Sequence, residues 1–314
     1  MDLTESIGTV IRTTGSWYRI LTLEGRVIDC TLRGKIRLKG LKSTNPIAIG
    51  DRVTYQWEKK DESGQIISIL PRKNYILRKA VKLSSQFHIL CANIDQALLI
   101  ATLEDPFTPL GFIDRFLVSC EAFHIPVVIL LNKADKLNTD KLKDKAADYL
   151  SIYRNIGYKI ELTSGFTAVS AEKIRNLLQG KTSFLGGHSG VGKSTLINLV
   201  DPDLQLKTGE ISTFSGKGKH TTTFAEMFPL SFGGFVIDAP GFKEMELFDF
   251  QRNEISHYFP EMRDRISYCK FNDCTHTEEP GCAIKEAVES GEIAESRYHT
   301  YLGMLTENLL NNKI

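Results

Sequence analysis

The stretch Gly187-His188-Ser189-Gly190-Val191-Gly192-Lys193-Ser194 constrains this chain more than any other. It has the spacing G-x-x-x-x-G-K-[ST], and its flanks agree: residues 182–186 read as a short buried strand and residues 194–200 as the start of a helix. A strand, a glycine-rich loop and a helix make the frame of a phosphate-binding loop. The glycines let successive backbone N–H groups point inward around phosphate oxygens. The helix N-terminus adds unpaired N–H groups and the positive end of its dipole. Lys193 would reach the β- and γ-phosphates, and the Ser194 hydroxyl would hold Mg²⁺, with Thr195 beside it. A glycine-rich turn that matched by chance would need neither that strand nor that helix.

A chain of 314 residues has room for two or three domains. Its net charge of +1 gives no global argument for nucleic acid, so any basic surface must be local. It has no run of eighteen apolar residues, and Met1-Asp2-Leu3-Thr4-Glu5 lacks the form of a signal peptide. A cytoplasmic protein with no membrane partner is expected. Cys30, Cys91 and Cys120 are scattered, as reduced buried thiols would be.

Residues 1–72 alternate short β-rich runs with turn signals, at residues 8–11, 17–21, 27–32, 51–55 and 65–69. Five short strands in so few residues predict a small OB-type barrel. The run from Arg33 to Lys42 carries five cations, and no acid occurs from residue 30 through residue 50. It reads either as a flexible loop that neutralises RNA phosphates or as a solvated hairpin end. Trp17 and Tyr18 could stack on bases, but strand spacing favours the core for Trp17.

A linker with Pro71 and the cations Arg72, Lys73, Arg78 and Lys79 follows. Residues 96–102 read as a central strand, 112–124 as a helix and 126–131 as a buried parallel strand. That last strand ends in Asn132-Lys133-Ala134-Asp135. Ligands of parallel sheets bind beyond the strand carboxyl ends. There the Asp135 carboxylate can accept hydrogen bonds from N1–H and the 2-amino group of guanine. Adenine has neither donor and would leave the carboxylate unpaired, which opposes an ATPase. The Asn132 amide can bond the other edge of guanine or tie loops together, and the Lys133 stem can cover the ring face. After a helix over 141–152 and a strand over 158–162 come Thr163-Ser164-Gly165, a small-residue loop fit to pack against a base. Val169-Ser170-Ala171 also fits, but Thr163, Ser164 and Gly165 follow the strand directly.

Residues 208–223 are rich in Gly, Ser, Lys and Thr, which predicts a mobile loop. Thr223, or else Thr222, could close onto Mg²⁺ when a γ-phosphate is present. A strand over 234–237 then ends in Asp238-Ala239-Pro240-Gly241. D-x-x-G supplies a carboxylate for a water ligand of Mg²⁺ and a glycine N–H for the γ-phosphate. The base-reading motif precedes the phosphate loop here, the reverse of the Ras-like order. The chain is therefore circularly permuted, which is tolerable where domain termini lie close together.

Near the end, Cys269-x₄-Cys274-x-His276-x₅-Cys282 offers three thiolates and one imidazole. That closed set suits structural Zn²⁺ and leaves no open position for metal catalysis. Residues 251–259 and 284–310 read as helical, the latter broken near Ser290-Gly291. Such a segment is too small for a large core, so the metal should stabilise it.

The fold class expected is α/β. A small OB-type β-barrel (1–72) leads a circularly permuted P-loop GTPase domain (73–250) and a zinc-binding helical domain (251–314). In order and spacing, N-K-A-D, T-S, G-H-S-G-V-G-K-S-T, K-H-T-T-T, D-A-P-G-F and C-x₄-C-x-H-x₅-C resemble the RsgA family, also called YjeQ or YloQ. The resemblance covers nearly the whole chain. It implies slow GTP hydrolysis to GDP, stimulated by the 30S ribosomal subunit, in late small-subunit maturation. It also implies contact with 16S rRNA through the OB and zinc domains and help in releasing another assembly factor. DNA is not an expected partner, and a monomer is expected. Phe242 follows Gly241 where Ras-like enzymes carry Gln, and an apolar ring cannot orient water. The resemblance points to His220 as the residue that does so. Two other readings fit the residues, a nucleotide-gated RNA adaptor and a GTPase of a different RNA particle.

Overall fold

Five strands close on themselves at the N-terminus: β1 (Ser6–Thr14), β2 (Trp17–Thr22), β3 (Val27–Leu32), β4 (Arg52–Gln56) and β5 (Gly64–Ile69). Their order is β1-β2-β3-β5-β4, and β4 returns to pair with β1. Only β3 and β5 run parallel. This is the OB-type barrel expected. The computed structural model describes residues 5–33, 46–57, 63–79, 87–206, 225–239 and 251–311. The basic run beyond Arg33, the stretch 208–223 with His220, Thr222 and Thr223, and Gly241 and Phe242 lie outside those residues.

Val10, Ile20, Cys30, Val53 and Ile66 fill the barrel. Side chains alternate along β2, so Tyr18 and Ile20 point in while Trp17 and Arg19 point out. The expected core place of Trp17 is therefore corrected. A pleat buries only one of two neighbours, Tyr18 takes the place, and Trp17 stays 47% exposed. Gly8 is required by close approach, because a Cβ there would meet Ile20 Cγ2 at 2.4 Å and the Leu21 carbonyl at 2.9 Å.

The expected linker is not plain. It contains an antiparallel ribbon of β6 (Tyr75–Lys79) and β7 (Phe87–Ala92). Arg72, named only as a linker cation, has a fixed place. It grips the fully buried Asp51 at 2.6 and 2.7 Å and donates to the Pro46 carbonyl at 2.8 Å.

The chain forms two units, residues 1–98 with 164–243 and residues 99–163 with 244–314. It passes from one to the other inside β8 (Gln96–Ala101), every residue of which is buried. In the second unit follow α1 (Leu110–Ala122), β9 (Val127–Leu131), α2 (Asp140–Asn155) and β10 (Lys159–Leu162). β9 is also wholly buried and pairs in parallel with β10, as apolar runs with covered faces do. The Thr139 hydroxyl caps α2 by accepting from Leu142 N.

Back in the first unit come α3 (Ala168–Leu178), β11 (Thr182–Gly186), α4 (Lys193–Val200), β12 (Glu226–Pro229) and β13 (Phe235–Asp238). β13 pairs in parallel with β11 and antiparallel with β12. The strand β12 was not expected; it joins β13 to the barrel through the Arg12–Glu226 pairing with β1.

The C-terminal segment of the second unit holds α5 (Pro260–Arg263), α6 (Ala283–Glu289) and α7 (Glu295–Asn311). The break expected near Ser290-Gly291 is there. The helix expected over 251–259 is reduced to a 3₁₀ turn at Ile255–Tyr258. Pro260 is the reason: it drives Phe259 to extended backbone (φ −103°, ψ 104°) and starts α5. Val118 of α1 packs into the same core as Phe259, Met262, Ile284, Ile293 and Tyr301. The segment therefore completes its core on α1 and does not rely on the cysteine cluster alone.

Candidate nucleotide and metal sites

In the first unit, the register of β11 and β13 sets Asp238 beside Leu185, two residues before Gly187. Gly187, Gly190 and Gly192 take φ of +129°, +82° and +100°, conformations that strain any residue with a Cβ. Gly192 is the N-cap of α4, so Lys193, Ser194 and Thr195 form its first turn. Val191 is buried, His188 is half-buried, and Ser189 and Gly190 are exposed. The Lys193 amine curls back and donates to the carbonyls of Gly187 and His188 at 2.8 and 2.9 Å. Burial lowers the pKa of Lys193 against the pull of Asp238, and burial raises that of Asp238 against the pull of Lys193. Two opposite charges are thus held in a half-dry place at the carboxyl ends of neighbouring parallel strands.

Ser164 and Gly165 belong to the same unit. Ser164 N donates to Ser170 Oγ at 2.9 Å, and a Cβ on Gly165 would lie 2.7 Å from Thr195 Cγ2. This small-residue loop therefore lies against the first turn of α4. Val169, Ser170 and Ala171 are inside α3, while Thr163 to Gly165 directly follow β10.

In the second unit, Asn132 leaves β9 with its N–H on the Ala101 carbonyl at 2.8 Å. Thr163 Oγ1 donates to Asn132 Oδ1 at 3.2 Å, and Ala134 N donates to the Thr163 carbonyl at 2.9 Å. Asn132 therefore ties the two loops together. Lys133 takes a left-handed φ of +64° and its amine donates to the Asp105 carbonyl. Burial and the nearby Lys136 lower its pKa. Asp135 is exposed in the 3₁₀ turn Ala134–Lys136. Leu131, Leu137, Leu142 and Leu162 floor a cleft beside Asn132 and Lys133.

Cys269, Cys274, His276 and Cys282 converge, with their donor atoms all within 4.8 Å of one another. His276 Nδ1 lies 3.6 Å from Cys269 Sγ and 3.5 Å from Cys282 Sγ. A tetrahedral centre with Zn–S near 2.3 Å and Zn–N near 2.0 Å has a sulfur–nitrogen edge of about 3.5 Å, so the set fits Zn²⁺ bound through Nδ1. The loop is held from outside. Tyr298 and Tyr301 donate to the carbonyls of His276 and Thr275 at 2.6 and 2.7 Å. The Glu279 carboxylate accepts from Thr275 N and Thr277 N at 2.8 and 2.9 Å.

A buried ion group was missed from sequence. Arg297 binds Glu261 through Nε and Nη2 at 2.7 and 3.1 Å and Asp114 through Nη1 at 2.8 Å, wholly out of solvent. Its signal was present. Arg297 stands between Ile293, just before α7, and Tyr301 and Met304 of α7, in one apolar stripe, and Asp114 has Leu117 and Val118 three and four places on. Charges inside apolar stripes are kept only when paired.

The family model described as RsgA GTPase matches residues 69–248, and that of the RsgA N-terminal domain matches residues 7–66. A protein of Bacteroides fragilis named "Small ribosomal subunit biogenesis GTPase RsgA" is 48% identical over 300 residues, 96% of each chain. One of Flavobacterium johnsoniae with the same name is 49% identical over 95% of this chain and 92% of its own. Among solved structures, YjeQ from Thermotoga maritima superposes with a TM-score of 0.78 at 38% identity, covering 98% of this chain and 99% of that one. YloQ, described as a circularly permuted GTPase, superposes with a TM-score of 0.74 at 31% identity, over 97% and 95%.

Proposed function

Since this chain belongs to the RsgA family of GTPases, we propose that it hydrolyses GTP to GDP and phosphate on the maturing 30S ribosomal subunit, slowly alone and faster when bound there. It acts in the cytoplasm as a monomer, late in small-subunit maturation, and helps to release another assembly factor. Gly187 to Thr195 hold the phosphates, with Lys193 on the β- and γ-oxygens and the Ser194 hydroxyl toward Mg²⁺, which neutralises phosphate charge when bound. Asn132, Lys133 and Asp135 read guanine, with Thr163 and Ser164 closing the loop beside it. Thr223, Asp238 and Gly241 sense the γ-phosphate, and His220 orients the attacking water. Cys269, Cys274, His276 and Cys282 hold one structural Zn²⁺ that fixes the C-terminal module. The barrel (1–72) and that module (251–314) flank the GTPase domain (73–250) and contact 16S rRNA.

The placement of Lys193 and Asp238 is the observation that carries the catalytic part. Lys193 opens α4 with its amine on the Gly187 and His188 carbonyls, and Asp238 ends β13 beside Leu185 of β11, where a phosphate and its cation would meet both charges. The test is steady-state GTP hydrolysis alone, with 30S and with 50S subunits, at two salt concentrations. Stimulation by 30S only, weakened at high salt, supports the reading. Intact GTP binding with no stimulation by either subunit supports an RNA adaptor or another particle instead. His220→Ala with full 30S-stimulated turnover removes the catalytic role of His220.

A further inference from the structure

We infer that the C-terminal module positions the guanine-reading loop through a chain of hydrogen bonds, joined by one turn of helix α2 and one peptide link, inside the second unit. It starts at Arg297 of α7, which donates to Asp114 Oδ1 on α1 at 2.8 Å. The same oxygen accepts from the Tyr153 hydroxyl of α2 at 2.8 Å. One turn earlier on α2, the Tyr149 hydroxyl donates to the Thr108 carbonyl at 3.1 Å. Thr108 is locked to Thr102, exchanging N–H to carbonyl at 2.8 Å and Oγ1 from Thr102 N at 3.0 Å. The Thr102 hydroxyl then bonds the Pro106 carbonyl, and the neighbouring Asp105 carbonyl accepts from the Lys133 amine.

Asp114, Arg297 and Tyr153 are fully buried, and Tyr149 is nearly so. From Arg297 to Thr102 each link is thus a polar group that must keep its partner or leave a buried donor or acceptor unpaired. Over that stretch water cannot absorb a shift of α7. The shift passes to the 102–109 segment and from there, through the exposed Asp105–Lys133 bond, to Lys133, whose stem lies in the base-reading motif. The path is a positioning device for that loop, and none of its members before Lys133 is proposed to touch the nucleotide. This inference rests on the proposed guanine role of Asn132 to Asp135.

Tyr149→Phe and Tyr153→Phe remove one hydroxyl each and keep the ring, so the fold survives. The readout is the dissociation rate of a fluorescent GDP analogue from the full-length, metal-loaded protein. Each variant is expected to speed release roughly fivefold, the loss of about one hydrogen bond's positioning. Combining Tyr149→Phe with Arg297→Lys is expected to give little more than either alone, because both cut one path. Thermal melting and zinc content report any merely structural damage. Unchanged release in both Phe variants, or fully additive effects in the pair, overturns the inference. Asp135→Asn is the control on the underlying reading. If it leaves guanine preference intact, the base-reading role fails. If it abolishes that preference while the Phe variants are silent, only the positioning path fails.

Discussion

Arg297 and Asp114 stand 183 residues apart in the chain, yet they bond at 2.8 Å with neither side chain touching solvent. Glu261 takes the rest of the guanidinium, which also lies 4.6 Å over the Phe259 ring. Burial alone would push the Arg297 pKa down, but Asp114 and Glu261 together hold it above its ordinary value. Thr300 completes Asp114 by donating to Oδ2 at 2.8 Å. Three charges share one dry place, so the cost of removing the single cation falls on two carboxylates at once.

Arg297→Met should therefore destabilise the protein by about 3–5 kcal/mol, because it strands both carboxylates. Urea unfolding measures it. Arg263→Ala is the comparison, since its 3.4 Å pair with Glu121 is partly exposed and should be worth less than about 1 kcal/mol. Equal losses in the two variants would remove the distinction between buried and surface pairing.

Metal content checks the cysteine cluster. The purified protein should carry one Zn²⁺, and Cys282→Ser should lose it and lower the melting temperature. Cys91→Ser, which changes a buried thiol far along the chain from the cluster, should keep the metal. A strong chelator should reproduce the Cys282→Ser melting curve on the wild-type protein. A wild-type chain free of zinc, with an unchanged curve after chelation, would refute the assignment.

Local rules made the nucleotide motifs and the barrel legible. Gly187 to Ser194 and Asn132 to Asp135 are runs of adjacent residues, and each sits at the end of a strand that its own apolar content announces. The closed barrel followed from five alternating runs. What escaped was set by partners distant in sequence. Trp17 and Tyr18 are equal as strand formers, and only the register with β1 and β3 decides which one turns outward. The Arg72–Asp51 clamp spans 21 residues and the Arg297–Asp114 bond spans 183, and no local period encodes either. The ribbon of β6 and β7 was hidden because its cations Arg78 and Lys79 read as part of a linker.

Asp135→Asn should exchange guanine for xanthine. The amide presents a donor where guanine also has one, so GTP affinity should fall by at least about a hundredfold while xanthosine triphosphate binds. Lys193→Ala should weaken both nucleotides alike, since its proposed contact is with phosphate and not with the base. Equilibrium titration with the two nucleotides separates these effects. A GTP affinity that survives Asp135→Asn would sever the motif from base recognition.

Asp238 makes the nucleotide-free fold sensitive to pH in a definite direction. Burial raises its folded-state pKa above the ordinary carboxylate value, so the folded protein binds this proton more tightly than the unfolded chain does. Its contribution is fully present below the unfolded value and is lost as pH rises through the raised folded value. Across that window, falling pH should favour wild type over Asp238→Asn, which has no proton to bind there. Urea midpoints of the two proteins over a pH series from about 7 down to about 4, without nucleotide, give the difference. The gap should move toward wild type as pH falls, by up to about 1.4 kcal/mol for each unit the pKa is raised. Asp238→Asn should also lose GTP hydrolysis, because the carboxylate that costs stability in the empty protein is the one proposed to serve the cation and phosphate. A gap that moves the other way would mean that Lys193 outweighs burial at this carboxylate.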